Sequence, residues 1–327
     1  MAKKFANVRV TWDLVILGLL FALWVFASLT TKNFISATNV SQIFSNTSEI
    51  TIMAFAMTLL IISGEIDLSI AANLALSSSV LGYTYRAGAP IEVAIVLALL
   101  VGTTCGALNG FLVTKIKLNS LAVTIATMAL FRGLANALVG SKPISEFPDA
   151  WTSFGFDTFG TSFVPKTLPM IIILAIIFAL VLHRTPFGRK TLAIGQSVDA
   201  AKFAGVNVDR HKWLLFTLTG TMSGVASVVY TFRFSLSQPD KGTGLELLVI
   251  SACLLGGISI FGGVGTMWGV LGGVLLAGSV ESWLTLNEVN AQWRTIVTGI
   301  LLLISVATPV AMDIVKRRRA SGSIKKG

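Results

Sequence analysis

Long apolar runs recur along the whole chain, and short polar or basic stretches separate them. An α-helix needs about 20 mostly apolar residues to cross the roughly 30 Å hydrocarbon core of a bilayer. About ten runs approach that length, and they fall near residues 12–30, 48–64, 68–85, 91–114, 120–140, 167–183, 213–232, 246–262, 267–286 and 293–312. Because backbone polar groups in lipid must be satisfied within their own segment, the pattern predicts an all-α polytopic membrane protein with about ten transmembrane helices.

The composition leads to the same conclusion. Of the 327 residues, 54% are hydrophobic and only 12% are charged, whereas a soluble domain carries about 25% charged residues. Too few polar side chains remain to cover a water-exposed surface, so lipid must be the solvent for much of the chain. No linker or separate soluble domain is visible, and we predict one transmembrane domain over residues 1–327.

The distribution of Lys and Arg predicts the orientation of these helices. About 17 of the 25 basic residues fall in four segments, namely Met1–Arg9, Lys115–Lys117, His183–Lys212 and Val315–Lys326. Since cytoplasmic loops carry an excess of positive charge, these segments and both termini are predicted to be cytoplasmic. The largest cytoplasmic loop then lies at about 183–212, and the largest external loop at about 141–166.

The basic residues at the two ends of the chain could also indicate a signal peptide or a nucleic-acid-binding protein. The basic N-terminus and the apolar run after it resemble a signal peptide, but no small-x-small cleavage site follows, so we predict a retained first span. The net charge of +10 could suggest nucleic acid. The basic residues lie between and after the apolar runs, however, and the tail at 316–326 is better explained as a lipid-headgroup anchor.

Two carboxylates follow the second apolar run, in the sequence Ser63-Gly64-Glu65-Ile66-Asp67-Leu68-Ser69. A carboxylate at membrane depth costs about 2.5–3.5 kcal/mol on insertion scales, so it usually faces a cavity or a protein partner. Glu65 and Asp67 are therefore candidates for groups that line or gate a solute pathway. An equally good interpretation is a cytoplasmic turn in which Asp67 and Ser69 cap the next helix. The residues alone leave both interpretations open.

A short helix is predicted within the cytoplasmic loop, between Ser197 and Gly205. Ser197 is a suitable N-cap, Asp199 complements the helix dipole, and Gly205 suits the C-terminal end. A small apolar face is contributed by Ala200, Ala201, Phe203 and Ala204. Because two turns of helix are marginal in water on their own, the element is typical of a docking site for another protein. A helix that lies on the protein's own surface is the open alternative.

Glycines occur in two further patterns. Gly102, Gly106 and Gly110, beside Asn109, form a smooth helical stripe that predicts close packing against another helix. The segments 242–246 and 256–265 are glycine-rich within apolar sequence, which predicts a distorted helix or re-entrant turn at a cavity and makes Glu246 a pathway candidate. Neither segment follows a strand or ends in Gly-Lys-Thr/Ser, so no ATP site is encoded and no bound cofactor is expected.

Enzymatic chemistry finds little support in the sequence. Cys105 and Cys253 lie inside apolar runs without a close Cys or His, so neither a metal site nor a disulfide framework is predicted. His183 and His211 flank the basic loop, where a role in topology or headgroup contact is sufficient explanation. No motif typical of a hydrolase or metalloprotease occurs.

Three ordered motifs give the chain a resemblance to a known family. They are Gly64–Ser69, Phe187–Gly205 and Gly244–Gly265, and at these residues the chain resembles the ribose-type family of ABC importer permeases nearly end to end. That family serves ribose, arabinose, xylose, rhamnose, related sugars and a furanosyl autoinducer. The chain departs from the family pattern at Glu65, where a glycine is usual, and at Ile258 and Phe261. The sequence of residues 193–197 resembles the rhamnose and autoinducer branches slightly more than the ribose branch.

The resemblance implies a permease subunit that imports a monosaccharide or sugar-like solute across the bacterial inner membrane. It also implies a second permease chain, identical or paralogous, two cytoplasmic ABC ATPase subunits that use the ATP, and an external sugar-binding protein. Ser197–Gly205 would be the coupling helix, and Glu65, Asp67, Asn109 and Glu246 would lie near the pathway or its gates. The alternatives are a stand-alone transporter or channel driven by an ion gradient through Glu65 or Asp67, and an integral-membrane enzyme.

Overall fold

The computed structural model describes residues 12–140, 142–160, 164–301, 303, 304 and 307. The predicted cytoplasmic segments Met1–Arg9 and Val315–Lys326 lie outside the described residues. The helices are α1 (Trp12–Thr30), α2 (Ala37–Asn46), α3 (Ser48–Ile62), α4 (Ile70–Arg86), α5 (Ile91–Thr114), α6 (Ser120–Val139), α7 (Asp149–Phe156), α8 (Leu168–Arg184), α9 (Pro186–Gln196), α10 (Val198–Phe203), α11 (Val208–Phe234), α12 (Leu245–Leu255), α13 (Met267–Leu286) and α14, which begins at residue 291.

The prediction of an all-α membrane protein is confirmed. Over the described residues, β-structure is confined to two isolated bridges. Five helices, α1, α5, α6, α11 and α13, are long and apolar enough to cross a membrane. The bent pairs α2–α3 (42°) and α8–α9 (64°) raise the number to seven if each pair is one span. Ten spans therefore stay a prediction, although a helix overlaps each of the ten predicted ranges.

Helix α3 forms the centre of the bundle. Fourteen of its 15 residues are buried, whereas only Ile16 and Ala27 are buried in α1. Apolar side chains occur on every face of α3, and such a helix is stable only when neighbours surround it. Phe55 stacks on Phe178 of α8 with 5.7 Å between ring centroids, and Leu215 and Phe216 of α11 belong to the same core.

The glycine stripe of α5 packs directly against α11. A Cβ placed on Gly102 would lie 2.8 Å from both the carbonyl oxygen of Gly220 and the Cα of Gly224, and one placed on Gly106 would meet the carbonyl oxygen of Phe216. The glycines of the two helices thus interlock backbone to backbone. This close approach is the contact that small residues at every fourth position permit.

The connections between helices meet at two ends of the bundle. One end, here called the basic end, holds the 63–69 turn, the 115–119 turn, α9, α10 and the 256–266 loop. Lys117 pairs with Asp209 at 2.5 Å there, and Gly263 donates its N–H to the carbonyl of Ile62 at 2.8 Å. All the described segments that the sequence predicts to be cytoplasmic are therefore neighbours in space.

The other end, here called the opposite end, carries α7 and a 3₁₀ turn at Pro239–Gly242. Helix α7, in the predicted external loop, packs on the last turn of α11, where Trp151 lies 5.4 Å from Phe232 between ring centroids. Arg233 pairs with the buried Glu49 at 2.6 Å, which joins the ends of α11 and α3.

Candidate functional site

Local capping produces the projecting element of the basic end. The hydroxyl of Ser197 accepts a hydrogen bond from the N–H of Ala200 at 3.2 Å, which caps α10 at its N-terminus. At the other end Gly205 has φ +79°, its N–H bonds to Lys202, and the N–H of Val206 bonds to Ala201. These bonds form a Schellman motif, so the helix predicted between Ser197 and Gly205 is present and closed at both ends.

Helix α10 has one buried side and one exposed side. Ala201 is 2% exposed and packs with Ile194 and Val208. Ala200 and Ala204 are exposed, and Phe203 is 93% exposed. The single apolar face expected from the sequence is thus divided, because the hairpin of α9 and α10 needs an apolar contact of its own. A docking partner could reach Ala200, Phe203 and Ala204, but not the side chain of Ala201.

Helix α9 holds α10 against the rest of the protein. The ring of His211 lies 4.3 Å from the ring of Phe187, and its Nε2 is 2.8 Å from the hydroxyl of Thr191. A role for His211 in topology or headgroup contact does not explain this burial, because the imidazole is 6% exposed and joins α9 to α11. The sequence carries no local signal for this contact, since the two elements are 20 residues apart.

A three-way backbone contact lies at the end of α9. A Cβ on Gly195 would collide with the carbonyl oxygen of Ile62 and the N–H of Gly263, and would lie 2.9 Å from the Cα of Gly263. Gly262 and Gly263 have φ values of +84° and +74°, a region that favours glycine. Three segments, the ends of α9 and α3 and the glycine-rich loop, therefore touch without intervening side chains.

The carboxylate of Asp67 is buried at the start of α4. It accepts hydrogen bonds from the N–H of Ser69 at 2.8 Å and from the hydroxyl of Ser69 at 2.6 Å. Asn109 of α5 donates to the same hydroxyl at 2.8 Å, and Thr219 of α11 lies 3.5 Å from the second carboxylate oxygen. Asp67 is 1% exposed. The structure shows a turn closed by Asp67 and Ser69, but not the predicted cap, because Ser69 at the N-cap position of α4 makes no side-chain capping bond and donates its hydroxyl to Asp67 instead.

Glu65 has a different environment, beside a cavity of about 630 Å³ at the basic end. Its carboxylate lies 2.5 Å from Nζ of Lys212, and each side chain is 15% exposed. Lys117, Asp209 and Lys202 line the same cavity. Lys212 and Gly195 are not among the predicted site residues, because their contacts are distant in the chain. Lys212 is 147 residues from Glu65, and Gly195 is more than 60 residues from both Ile62 and Gly263.

Glu246 stands apart from this group. It lies in the first turn of α12, where one carboxylate oxygen accepts the N–H of Gly244 at 3.3 Å and the other is buried without a hydrogen-bond partner among the described residues. The structure thus brings Glu65, Asp67 and Asn109 to the basic half of the bundle and leaves Glu246 elsewhere. No cluster of three or more His, Cys, Asp or Glu that could hold a metal occurs within the described ranges.

An apolar helical bundle with a projecting hairpin at one end is typical of an integral membrane protein. Residues 39–306 match the family described as branched-chain amino acid transport system / permease component, and the chain belongs to that family. The relatives below place it in the ribose-type branch of ABC transporter permeases, which confirms the resemblance found in the sequence.

Three relatives show the extent of the match. The ribose import permease protein RbsC of Bacillus subtilis is 36% identical over 290 residues, which cover 88% of this chain and 89% of that protein. The L-arabinose transport system permease protein AraH of Escherichia coli is 34% identical and covers 90% of each chain. The autoinducer 2 import system permease protein LsrC of Photorhabdus laumondii is 32% identical, over 93% of this chain and 90% of that protein.

One solved structure, of an ABC transporter assigned to the metal-chelate type in an inward-facing conformation, aligns with 94% of this chain and 100% of its own. The sequence identity is 19% and the TM-score is 0.44.

Proposed function

We propose that this chain is the membrane-spanning permease subunit of an ABC importer that carries a monosaccharide or sugar-like solute into the cytoplasm. The names of three relatives, for ribose, L-arabinose and autoinducer 2, support the class of solute and, for two of them, the direction of transport. ATP hydrolysis belongs to a separate ATPase subunit, because the sequence contains no phosphate-binding loop.

The proposed topology has ten spans, with both termini in the cytoplasm of a bacterial cell and the bundle in its inner membrane. Alternation supports it, since successive connections fall at the basic end and the opposite end in turn. The positive charge of the described loops at the basic end supports a cytoplasmic location for that end. Helices α3, α4, α8 and α12 are shorter than a full span, and burial in the bundle would let them cross.

One observation carries the proposed role of the basic end, namely the exposure of Phe203 on a capped and anchored helix. A phenylalanine exposed to water gains about 1.5–3 kcal/mol when a partner buries it. Its neighbours on the exposed side, Ala200 and Ala204, are small enough to let a partner approach closely. We assign this surface, called here the docking surface, to the ATPase subunit.

The contact at Gly195 gives the docking surface a route into the bundle. Closure of two ATPase subunits on ATP would displace α10 and α9 together, because Ala201 and Ile194 pack them as one unit. The end of α9 would then press on Ile62 at the end of α3 and on the 256–265 loop. Movement of these two elements would switch the pathway between its inward-open and outward-open states.

The assembly would also contain a second permease chain, identical or paralogous, and an external sugar-binding protein. An ion-coupled transporter without an ATPase is the alternative, and it would use Glu65 or Asp67 as the ion-binding carboxylate. Glu65 is engaged by Lys212, and Asp67 by Ser69 and Thr219. These contacts favour the ATP-driven assembly.

The test is the substitution Phe203→Asp in the permease co-expressed with its ATPase. We expect the ATPase to be lost from the purified complex, and ATP-dependent uptake in proteoliposomes to fall by at least tenfold. Phe156→Asp is the matched control, since Phe156 is 55% exposed on α7 at the opposite end. Undiminished ATPase binding and uptake in Phe203→Asp would contradict the docking surface. Solute accumulation by the purified chain alone, driven by a proton or sodium gradient, would contradict the importer.

A further inference from the structure

A second cavity, of about 200 Å³, lies at the opposite end where α2, α3, α12, α13 and α14 meet. Helix α13 contributes Glu281 and Thr285, one turn apart, and α14 contributes Arg294 and Thr298 with the same spacing. Helix α2 adds Gln42. Three helices therefore contribute polar residues to one cavity, and Glu281 and Thr285 stand at its exposed rim.

Two side chains of this cavity carry opposite charges and do not pair with each other. None of the ion pairs among the described residues includes Glu281 or Arg294. Arg294 donates through Nη1 to the hydroxyl of Thr285 at 2.7 Å, while its Nε is buried without a hydrogen-bond partner among those residues. Charged groups in spanning helices are costly and usually serve a pathway or a ligand.

The lining changes from polar to apolar with depth. Glu281 and Thr285 lie in the last two turns of α13, and Arg294 lies in the first turn of α14, so the polar part is at the opposite end. Leu255, the last residue of α12, and Val274, in the first half of α13, line the part that lies nearer the basic end. The cavity thus has a polar mouth and an apolar floor.

Resting on the proposed function, we propose that this cavity is a binding site for the transported solute and that it takes a neutral, polyhydroxylated molecule of monosaccharide size. The carboxylate of Glu281 can accept from hydroxyl groups, the free Nε of Arg294 can donate to them, and the amide of Gln42 can do both. Hydrogen bonds to charged groups are the stronger ones. Since the two charges cancel, a solute with a net charge gains no advantage.

The size of the cavity agrees with this ligand class. Sites for drug-sized ligands occupy roughly 300–1,000 Å³, and about 200 Å³ suits a smaller solute. The apolar floor offers the ring C–H groups of a sugar a surface from which water is excluded.

The experiment uses the complete transporter, that is, the permease with its ATPase and binding protein in proteoliposomes. ATP-dependent uptake of radiolabelled D-ribose, L-arabinose, D-xylose and L-rhamnose is measured for the wild type and for Glu281→Gln and Arg294→Gln. We expect each variant to lower the uptake of the accepted sugar roughly tenfold or more, because a hydrogen bond to a charged group is lost. Glu281→Asp, which keeps the carboxylate, should recover part of the uptake.

The controls are Glu288→Gln and Arg86→Gln, which make the same changes outside the cavity lining. ATPase binding and thermal stability should be unchanged in every variant. Uptake within twofold of the wild type in Glu281→Gln would overturn the binding site. Loss of the second permease chain from the purified Glu281→Gln complex would also overturn it, because Glu281 would then belong to the contact between the two chains. If the wild type accumulates none of the four sugars, the proposed class of solute is wrong and the binding site is overturned with it.

Discussion

Gly263 donates its backbone N–H to the carbonyl oxygen of Ile62 at 2.8 Å, and Gly195 lies against both. This contact joins the docking surface to the end of the central helix. Because no side chain intervenes, a displacement of α9 is transmitted as directly as van der Waals contact allows. A displacement of α10 by the ATPase would reach α3 through this contact.

The first prediction concerns coupling at this contact. Gly195→Ala adds a Cβ that must push apart the ends of α9 and α3. We expect the complex to bind its ATPase and hydrolyse ATP while solute uptake falls at least tenfold, which is measured as the ratio of solute moved to ATP consumed. Gly133→Ala is the control, because a Cβ there meets nothing within 4 Å. If Gly195→Ala moves as much solute per ATP as the wild type, the contact at Gly195 does not couple α9 to transport.

The second prediction concerns the two sides of α10. Ala200→Arg places a charge on the exposed side and should abolish ATPase binding without changing the thermal unfolding temperature of the permease. Ala201→Arg places the same charge between Ile194 and Val208, where an unpaired charge is costly, and should lower that temperature as well. Thermal unfolding in detergent and co-purification of the ATPase distinguish the two. Equal unfolding temperatures would show that Ala201 is accessible.

The third prediction concerns the interlocked glycines of α5 and α11. Gly106→Ala should destabilise the protein by about 1–3 kcal/mol, because the backbones of Phe216 and Gly220 must move away from the added Cβ. The unfolding temperature in detergent should fall accordingly. In Gly133→Ala, on the open side of α6, it should stay level or rise, since alanine favours the helix. Equal behaviour of the two variants would contradict the interlock.

The fourth prediction concerns the ion pair between Glu65 and Lys212. A double-mutant cycle with Glu65→Gln and Lys212→Met should give a coupling free energy of about 1 kcal/mol or more, because each side chain is only 15% exposed. The same cycle at Asp199 and Lys202, which are 84% and 59% exposed, should give a value near zero. Denaturant unfolding of the four variants of each cycle measures both. Coupling of equal size at the two pairs would show that burial does not strengthen the first.

Local and periodic features could be predicted from the sequence. The length and spacing of the apolar runs predict helices where the structure has them, because the requirement for internal backbone hydrogen bonds in lipid depends on each segment alone. The caps of α10 at Ser197 and Gly205 depend on residues within one or two turns. The stripe of Gly102, Gly106 and Gly110 predicts a close helix contact for the same local reason.

Only the tertiary structure decides which partners these features meet. The pairing of α5 with α11, of Glu65 with Lys212 and of Gly195 with Ile62 joins residues that are distant in the chain. The burial of Ala201 follows from the way α10 folds back on α9, and no spacing within α10 selects that side. Sequence alone thus determines the class of protein and its helical segments, since these follow from short-range chemistry. The contacts through which the helices act on one another depend on how the whole bundle packs.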